Sequence, residues 1–331
     1  MAVRIGINGF GRIGRCILRA ALKSKDYDVI HINDLMPKET MQHLLNYDSV
    51  HGKLDANISI SETSLKINDK DIFLSSEKNP ETIPWKKNHV DVVFECTGLF
   101  TNREDAQKHL SNGGPKKVIL SAPGKGVDKT IVLGVNHKDY DKSSHHIVSN
   151  GSCTTNCLAP LVKVLNDNFG VVKGLMTTVH SYTNDQKVLD LPHKDLRRAR
   201  ACALNMIPTS TGAAKAISDV IPELAGKLHG IAVRVPTPNV SLVDFNVELS
   251  KNVDKEDINL AFKRASKEEL SGILSVSDEP LVSSDFNGSP LSSIVDSAMT
   301  TVIGQKLVKV ISWYDNETGF SHRMLELSKL L

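Results

Sequence analysis

A doubly wound α/β sheet with a second domain behind it is the fold class this sequence predicts, and three observations predict it. The glycine turn Gly9-Phe10-Gly11-Arg12-Ile13-Gly14 follows directly on an apolar run at residues 3–7, and a helical pattern follows the turn. An acid, Asp34, ends the next apolar run, residues 29–33, 20 residues after Gly14. Further short apolar runs then alternate with turns and helical stretches, as parallel strands with crossover connections do. A length of 331 residues suits about two domains.

The totals exclude several classes. With 40% hydrophobic and 24% charged residues, the composition is that of a globular chain with ample core. Forty basic against 38 acidic residues leave a net charge of +2, so bulk charge proposes no nucleic acid, membrane surface or acidic partner. No apolar stretch approaches the ~18 residues of a membrane span, and the amino terminus enters a strand with no signal-peptide pattern. Five cysteines, at 16, 96, 153, 157 and 202, are an odd and scattered set with no CxxC and no Cys/His zinc spacing. The expectation is a reduced, cytoplasmic compartment and no metal.

In the first half, Gly9, Gly11 and Gly14 allow a tight turn, close approach of backbone to a pyrophosphate, and close packing of helix on strand. The helix expected over residues 12–23 presents free N–H groups to the anion. Asp34 can accept hydrogen bonds from adenosine ribose hydroxyls and would repel a 2′-phosphate, which favours NAD over NADP. Strands are expected at residues 90–95, 117–120, 131–135 and 146–148. Thr97, Gly98 and Ser121 follow two of these strand ends and are second-rank cofactor candidates, with ordinary strand-end turns as the alternative.

In the second half, Ser152-Cys153-Thr154-Thr155-Asn156-Cys157 lies between a strand end and a helical pattern, so Cys153 falls at a helix start. Free N–H groups there favour the thiolate, and Ser152 or Thr154 can cap the helix. An inert buried cysteine is the alternative. A strand over residues 173–180 ends in His180, 27 residues beyond Cys153, a candidate base for that thiol. Thr183 and Asp185 follow, and residues 191–200 form a basic loop. Residues 208–212 read as a hydroxyl-rich turn before a helix, able to hold an anion. Arg234 is one basic residue in an apolar strand and needs an anion, either carboxylate or phosphate. Residues 240–249 and 308–314 alternate like strands, and residues 320–331 form an amphipathic helix.

Taken together, the chain closely resembles phosphorylating glyceraldehyde-3-phosphate dehydrogenases, nearly end to end. The matching tracts are INGFGRIGR (7–15), YDSVHG (47–52), SCTTNCLAP (152–160), HSYTNDQ (180–186), LPHKDLRRAR (191–200), TSTGAAKA (209–216), RVPTPNVS (234–241) and WYDNETGF (313–320). The resemblance implies a Rossmann-type NAD-binding domain over residues 1–150, with a helix at about 317–331 packing back on it. It implies an α+β catalytic and tetramerisation domain with a largely antiparallel sheet over residues 151–316. Cys153 would be the nucleophile and His180 the base. Thr183 and Arg234, near Asp185, would hold one phosphate. Ser152, Thr154, Thr211 and Gly212, with Arg198, would hold the other. Asn316 would serve the nicotinamide, Arg12 and Ile13 the pyrophosphate, and Lys78 would lie near the adenine. The partners implied are a phosphorylated aldehyde, inorganic phosphate and three further copies of the chain, with no membrane and no nucleic acid as main partner. Gly151, Lys78 and Phe320 depart from the common Ala, Arg and Tyr without removing a reacting group. An erythrose-4-phosphate dehydrogenase is the sister activity. A non-catalytic NAD- or nucleic-acid-binding protein on the same scaffold is the reading from a different class.

Overall fold

Ile5, Gly6, Ile7 and Asn8 are buried in succession, as expected of a first strand covered on both faces at the centre of a sheet. In this computed structural model all 331 residues are described. The chain divides into two units: Met1–Ile131 with Lys138–Gly151 and Ser321–Leu331, and Val132–His137 with Ser152–Phe320.

The first unit runs β1 (Val3–Asn8), α1 (Arg12–Ala21), β2 (Tyr27–Asn33), α2 (Lys38–Asn46), β3 (Ile58–Ile60), β4 (Ser64–Ile67), β5 (Lys70–Ser75), β6 (Val92–Glu95), α3 (Arg103–Ala106), β7 (Lys117–Leu120), β8 (Lys129–Thr130) and β9 (Ile147–Ser149). Its nine strands lie in the order β3-β4-β5-β2-β1-β6-β7-β9-β8. Every pairing is parallel except those of the β3–β4 and β4–β5 hairpins. The chain therefore winds outward from β1 in both directions, through β2 and through β6. The strand order reverses there, and the crevice beyond the carboxyl ends is where such sheets bind ligands.

One expected strand is absent. The ladder ends with the Ile131 N–H on the Ser149 carbonyl at 2.9 Å, and residues 132–135 turn instead. The Asn136 side chain accepts the Val132 N–H at 2.8 Å, and Val135 N–H bonds back to the Val132 carbonyl at 3.0 Å. These local bonds take up groups that a sheet ladder would have needed.

The second unit runs α4 (Cys153–Phe169), β10 (Val171–Ser181), β11 (Ile207–Ser210), α5 (Ala213–Val220), β12 (Leu228–Val235), β13 (Ser241–Leu249), α6 (Lys255–Ala265), β14 (Leu274–Ser277), β15 (Ser293–Asp296), β16 (Thr301–Ile303) and β17 (Leu307–Tyr314). The sheet order is β11-β12-β10-β13-β17-β15-β14, with β16 on β17. Only β10–β12 and β14–β15 are parallel, so this sheet is mixed and largely antiparallel. Burial alternates residue by residue along β13, as a sheet with one covered face requires. Phe245 and Val247 pack with Leu158, Leu161 and Leu165 of α4, Ile217 of α5 and Phe262 of α6. The tract expected as a hydroxyl turn at residues 208–212 is mostly strand. Ile207 pairs with Arg234, and Pro208 is tolerated because β11 is an edge. Only Thr211 and Gly212 form the turn into α5.

The last helix, α7 (Thr318–Ser328), buries Met324, Leu325 and Leu327. Just beyond it Lys329 pairs with Asp26, and its ammonium lies 4.9 Å from the centre of the Tyr27 ring, within the first unit.

Candidate active site

In the second unit, Ser152 caps α4, its hydroxyl accepting the Thr155 N–H at 3.0 Å. That leaves Cys153 as the first helical residue, half-buried. Its Sγ lies 3.5 Å from Nε2 of His180, at the far end of β10. His180 is buried, and its Nδ1 lies 2.7 Å from the Ser181 carbonyl. A carbonyl only accepts, so Nδ1 carries the proton and Nε2 faces the thiol as an acceptor.

Charges around the pair act in opposite directions. Burial pushes the Cys153 thiol up. The Arg234 guanidinium and the bonds at the helix start pull it down, and burial prevails. The expectation of a thiol that ionises unusually easily is therefore not met in the free protein. A single helix turn and one cation do not offset the loss of water around the sulfur. Burial and Arg234 together hold the His180 imidazolium down to about 3, so the ring is a neutral base.

Arg234, on β12, is aligned with His180 on β10 in the parallel register. Its Nη1 donates to the Ser181 carbonyl at 3.1 Å, which it shares with His180 Nδ1, and to Thr183 Oγ1 at 3.4 Å; it lies 3.0 Å from the protonated Nδ1, where two donors meet and form no hydrogen bond. Its Nε is buried without a partner, and no carboxylate pairs with it. A buried guanidinium with a free donor is suited to an anion from outside. Arg198 is placed differently. It donates to Asp185 at 2.7 Å, to Thr209 Oγ1 at 3.0 Å and to the Ser210 carbonyl at 3.1 Å, tying the basic loop to the end of β11. Thr211 accepts the Ala213 N–H, and α5 starts at Gly212 with no side-chain cap.

Two residues to which the sequence reading gave no role complete this site. Tyr314 ends β17. Its hydroxyl joins Thr154 Oγ1 at 2.8 Å and Thr178 Oγ1 at 3.0 Å, and its ring meets that of His180 edge-on at 6.0 Å. Thr154 thus faces Tyr314. Ser241 accepts the Ser181 N–H at 3.1 Å and donates to Asn316 Oδ1 at 2.8 Å, which turns the Asn316 amide. Both sets of contacts join segments far apart in sequence, so the tracts that contain Ser241 and Tyr314 did not reveal their partners.

In the first unit, the glycine turn lies at the carboxyl end of β1. Gly9 has a φ of +93°, and a Cβ there would stand 2.7 Å from the Thr97 N. A Cβ on Gly14 would stand 2.3 Å from the Gly9 carbonyl oxygen, so only glycine lets α1 approach the strand this closely. Gly11 and Gly98 face open space. No side chain caps α1 and no acid stands in its first turn, so its start, at Arg12 and Ile13, is open to an anion. Asp34 Oδ2 accepts the Phe10 N–H and Oδ1 the Met36 N–H at 2.7 Å, which fixes the carboxylate beside the turn. Arg12 pairs with Asp48 at 2.6 Å. Although burial opposes it, N–H bonds from His51 and Val50 and the Arg12 charge hold that carboxyl down at about 2. Thr97 and Gly98 follow β6 and Ser121 follows β7, at the same sheet edge. Lys78 is exposed three residues past β5. The open turn, the uncapped helix start and the fixed acid fit a dinucleotide without a 2′-phosphate.

Both units match known proteins. Residues 3–103 match the family described as glyceraldehyde 3-phosphate dehydrogenase, NAD binding domain, and residues 152–316 the corresponding C-terminal domain. The chain is 60% identical to the glyceraldehyde-3-phosphate dehydrogenase of Geobacillus stearothermophilus over 328 residues, covering 99% of this chain and 98% of the relative. It is 59% identical to glyceraldehyde-3-phosphate dehydrogenase 1 of Bacillus cereus, covering 98% and 97%, and 58% identical to that of Bacillus subtilis strain 168, covering 99% and 98%. With two family domains matched and such identity over nearly its whole length, the chain belongs to the glyceraldehyde-3-phosphate dehydrogenase family.

Proposed function

We propose that the protein oxidises D-glyceraldehyde 3-phosphate and phosphorylates the product with inorganic phosphate, giving 1,3-bisphosphoglycerate in glycolysis and gluconeogenesis. The observation that carries this is the Cys153–His180 contact at 3.5 Å beside an arginine with no internal counter-ion.

The thiol proton passes to His180 Nε2, and Cys153 Sγ adds to the aldehyde carbon. His180 then protonates the new alkoxide, giving a thiohemiacetal. It takes the same proton back as the carbon is oxidised to a thioester. NAD, when bound, supplies the acceptor for the hydride that leaves this carbon. The Cys153 N–H at the helix start stabilises the oxyanion between these steps. Phosphate attacks the thioester, the C–S bond breaks, and Cys153 leaves as thiolate.

Substrate and attacking ion each bring a phosphate. Arg234 and Thr183, with Asp185 close by, hold one. Ser152, Thr154, Thr211 and Gly212, with Arg198, hold the other. Asn316, turned by Ser241, orients the nicotinamide carboxamide. Gly9, Gly11, Arg12, Ile13, Gly14, Asp34, Lys78, Thr97, Gly98 and Ser121 bind the rest of NAD. The enzyme works in the cytoplasm as a homotetramer. Support for assembly comes from the second unit's sheet, where exposed Leu175, Ile231 and Leu307 share the face opposite the core. No helix is long and apolar enough to cross a membrane. The test is NADH formation from glyceraldehyde 3-phosphate and from erythrose 4-phosphate, each with and without inorganic phosphate. Dependence on both glyceraldehyde 3-phosphate and phosphate is expected.

A further inference from the structure

Glu95, the last residue of β6, is 2% exposed, and no lysine or arginine pairs with it. Four donors converge on its carboxylate instead. They are Asn8 Nδ2 at 2.6 Å, the Thr97 N–H at 2.8 Å, the Thr97 hydroxyl, and His109 Nε2 at 3.0 Å.

Each donor is held in its direction by a further group. The Trp85 indole N–H can only donate, and it donates to His109 Nδ1 at 3.2 Å. His109 Nδ1 is therefore an acceptor, and the ring turns its Nε2–H toward Glu95. On the other side, Asn33 Nδ2 donates to Asn8 Oδ1 at 2.8 Å, which turns the Asn8 amide nitrogen to Glu95. The Ser75 hydroxyl and the Glu77 N–H both donate to Asn33 Oδ1, at 2.7 and 2.9 Å, and so orient Asn33. Donation thus runs from Ser75 on β5, through Asn33 on β2 and Asn8 on β1, to one carboxylate on β6. The chain crosses the carboxyl ends of the four strands next to the glycine turn.

The loops at that edge hang from the same residues. Gly9 N–H bonds to the Asn33 carbonyl at 2.9 Å and Cys96 N–H to the Asn8 carbonyl at 2.7 Å. The Gly9 turn packs directly on Cys96 and Thr97. We propose that Glu95 is a positioning residue for the dinucleotide, acting as the acceptor that keys the glycine turn and residues 96–98 to each other. This rests on the reading of that edge as the NAD site. A glutamine at 95 cannot replace the carboxylate. Turned one way, its NH2 faces the Thr97 backbone N–H. Turned the other way, it faces Asn8 and His109, whose donors are fixed by Asn33 and Trp85.

The test measures NAD affinity of the apoenzyme by calorimetry, with steady-state kinetics and melting temperature alongside. Glu95→Gln is expected to raise Kd and KM for NAD roughly tenfold, the loss of about one charge-assisted hydrogen bond. At saturating NAD, kcat stays within about twofold and the KM values for aldehyde and phosphate do not move. Should Glu95→Gln fail to fold, His109→Phe removes one donor and keeps the bonds from Asn8 and Thr97. It is expected to weaken NAD several-fold, and His109→Gln, which can still accept and donate, to restore it. Asp34→Gly serves as reference. If it weakens NAD while Glu95→Gln and His109→Phe bind NAD like wild type, or lose only melting temperature, the positioning role is overturned. If Asp34→Gly also binds NAD like wild type, the site reading falls and the proposal with it.

Discussion

Nε2 of His180 stands 3.5 Å from Sγ of Cys153 while the same ring's Nδ1 donates to the Ser181 carbonyl. The second bond decides what the first can do. With its proton on Nδ1, the ring meets the thiol as an acceptor, and the proton has one direction in which to move. The thiol rests protonated, and the base becomes charged only when it takes that proton.

Cys153 should be the dominant site of alkylation among the five cysteines. Cys157 is fully buried with its thiol pushed up to about 12, and burial pushes Cys96 higher still. Cys153 is only half-buried and has His180 Nε2 3.5 Å from its sulfur. Peptide mapping after brief substoichiometric alkylation reads this out. Its pH profile should inflect above the ordinary thiol value and show no step near 6.5, because His180 stays neutral down to about 3. Dominant labelling of Cys157 or Cys202 would contradict the assignment.

Arg234→Leu should raise KM for a phosphorylated aldehyde by about 10- to 150-fold, the worth of a charge-assisted contact of roughly 1.5–3 kcal/mol. An unphosphorylated aldehyde should lose far less. The same change removes a charge that favours the Cys153 thiolate, so the alkylation inflection should move to higher pH. Equal losses for the two aldehydes would return Arg234 to a purely structural role.

Asp34 should set the choice of NAD over NADP. Its carboxylate is fixed by the Phe10 and Met36 N–H groups and would face a 2′-phosphate with no cation at Leu35 or Met36 to offset it. Asp34→Gly should weaken NAD, relieve the repulsion and narrow the preference. Specificity constants for both cofactors decide it, and a wild-type enzyme that used the two equally would refute the role given to Asp34.

His31 should contribute to acid destabilisation. Burial holds it down to about 4, and Asn88 and Ser75 fix it as a neutral ring in the first unit. In the unfolded chain it titrates near 6.5, so below that pH the unfolded state binds the extra proton and stability falls until about pH 4. At about 1.4 kcal/mol per pH unit, the loss is about 3 kcal/mol. His31→Gln, which keeps one donor and one acceptor, should flatten denaturant-measured stability across that window by about one proton. An unchanged slope would show that His31 already titrates normally in the fold.

The parts of this protein that were legible in the sequence are local. Gly9, Gly11 and Gly14 sit in one turn, Asp34 ends the neighbouring strand, and Ser152 and Cys153 begin one helix; spacing alone reveals such groups. His180 could be named as a strand end, but its distance to Cys153 could not, because the packing of α4 on the covered face of the sheet that carries β10 sets it. Tyr314, Ser241 and Glu95 were missed for the same reason. Each acts through partners that include residues far away in sequence, and neither periodicity nor a matching tract says which groups those are. The direction of the Cys153 shift was missed because a sequence shows the helix start and the cation but not the water excluded from around them.

The most direct measurement is the formation of NADH and of an acyl phosphate from glyceraldehyde 3-phosphate, by wild type, Cys153→Ser and His180→Asn, with and without inorganic phosphate. Turnover by wild type that requires phosphate is predicted, with stoichiometric acyl phosphate. Cys153→Ser should be inactive, and His180→Asn should be slowed by about 10²–10⁴-fold, the range of a lost general base. Sustained wild-type NADH formation without phosphate, or full activity without Cys153, would contradict the account.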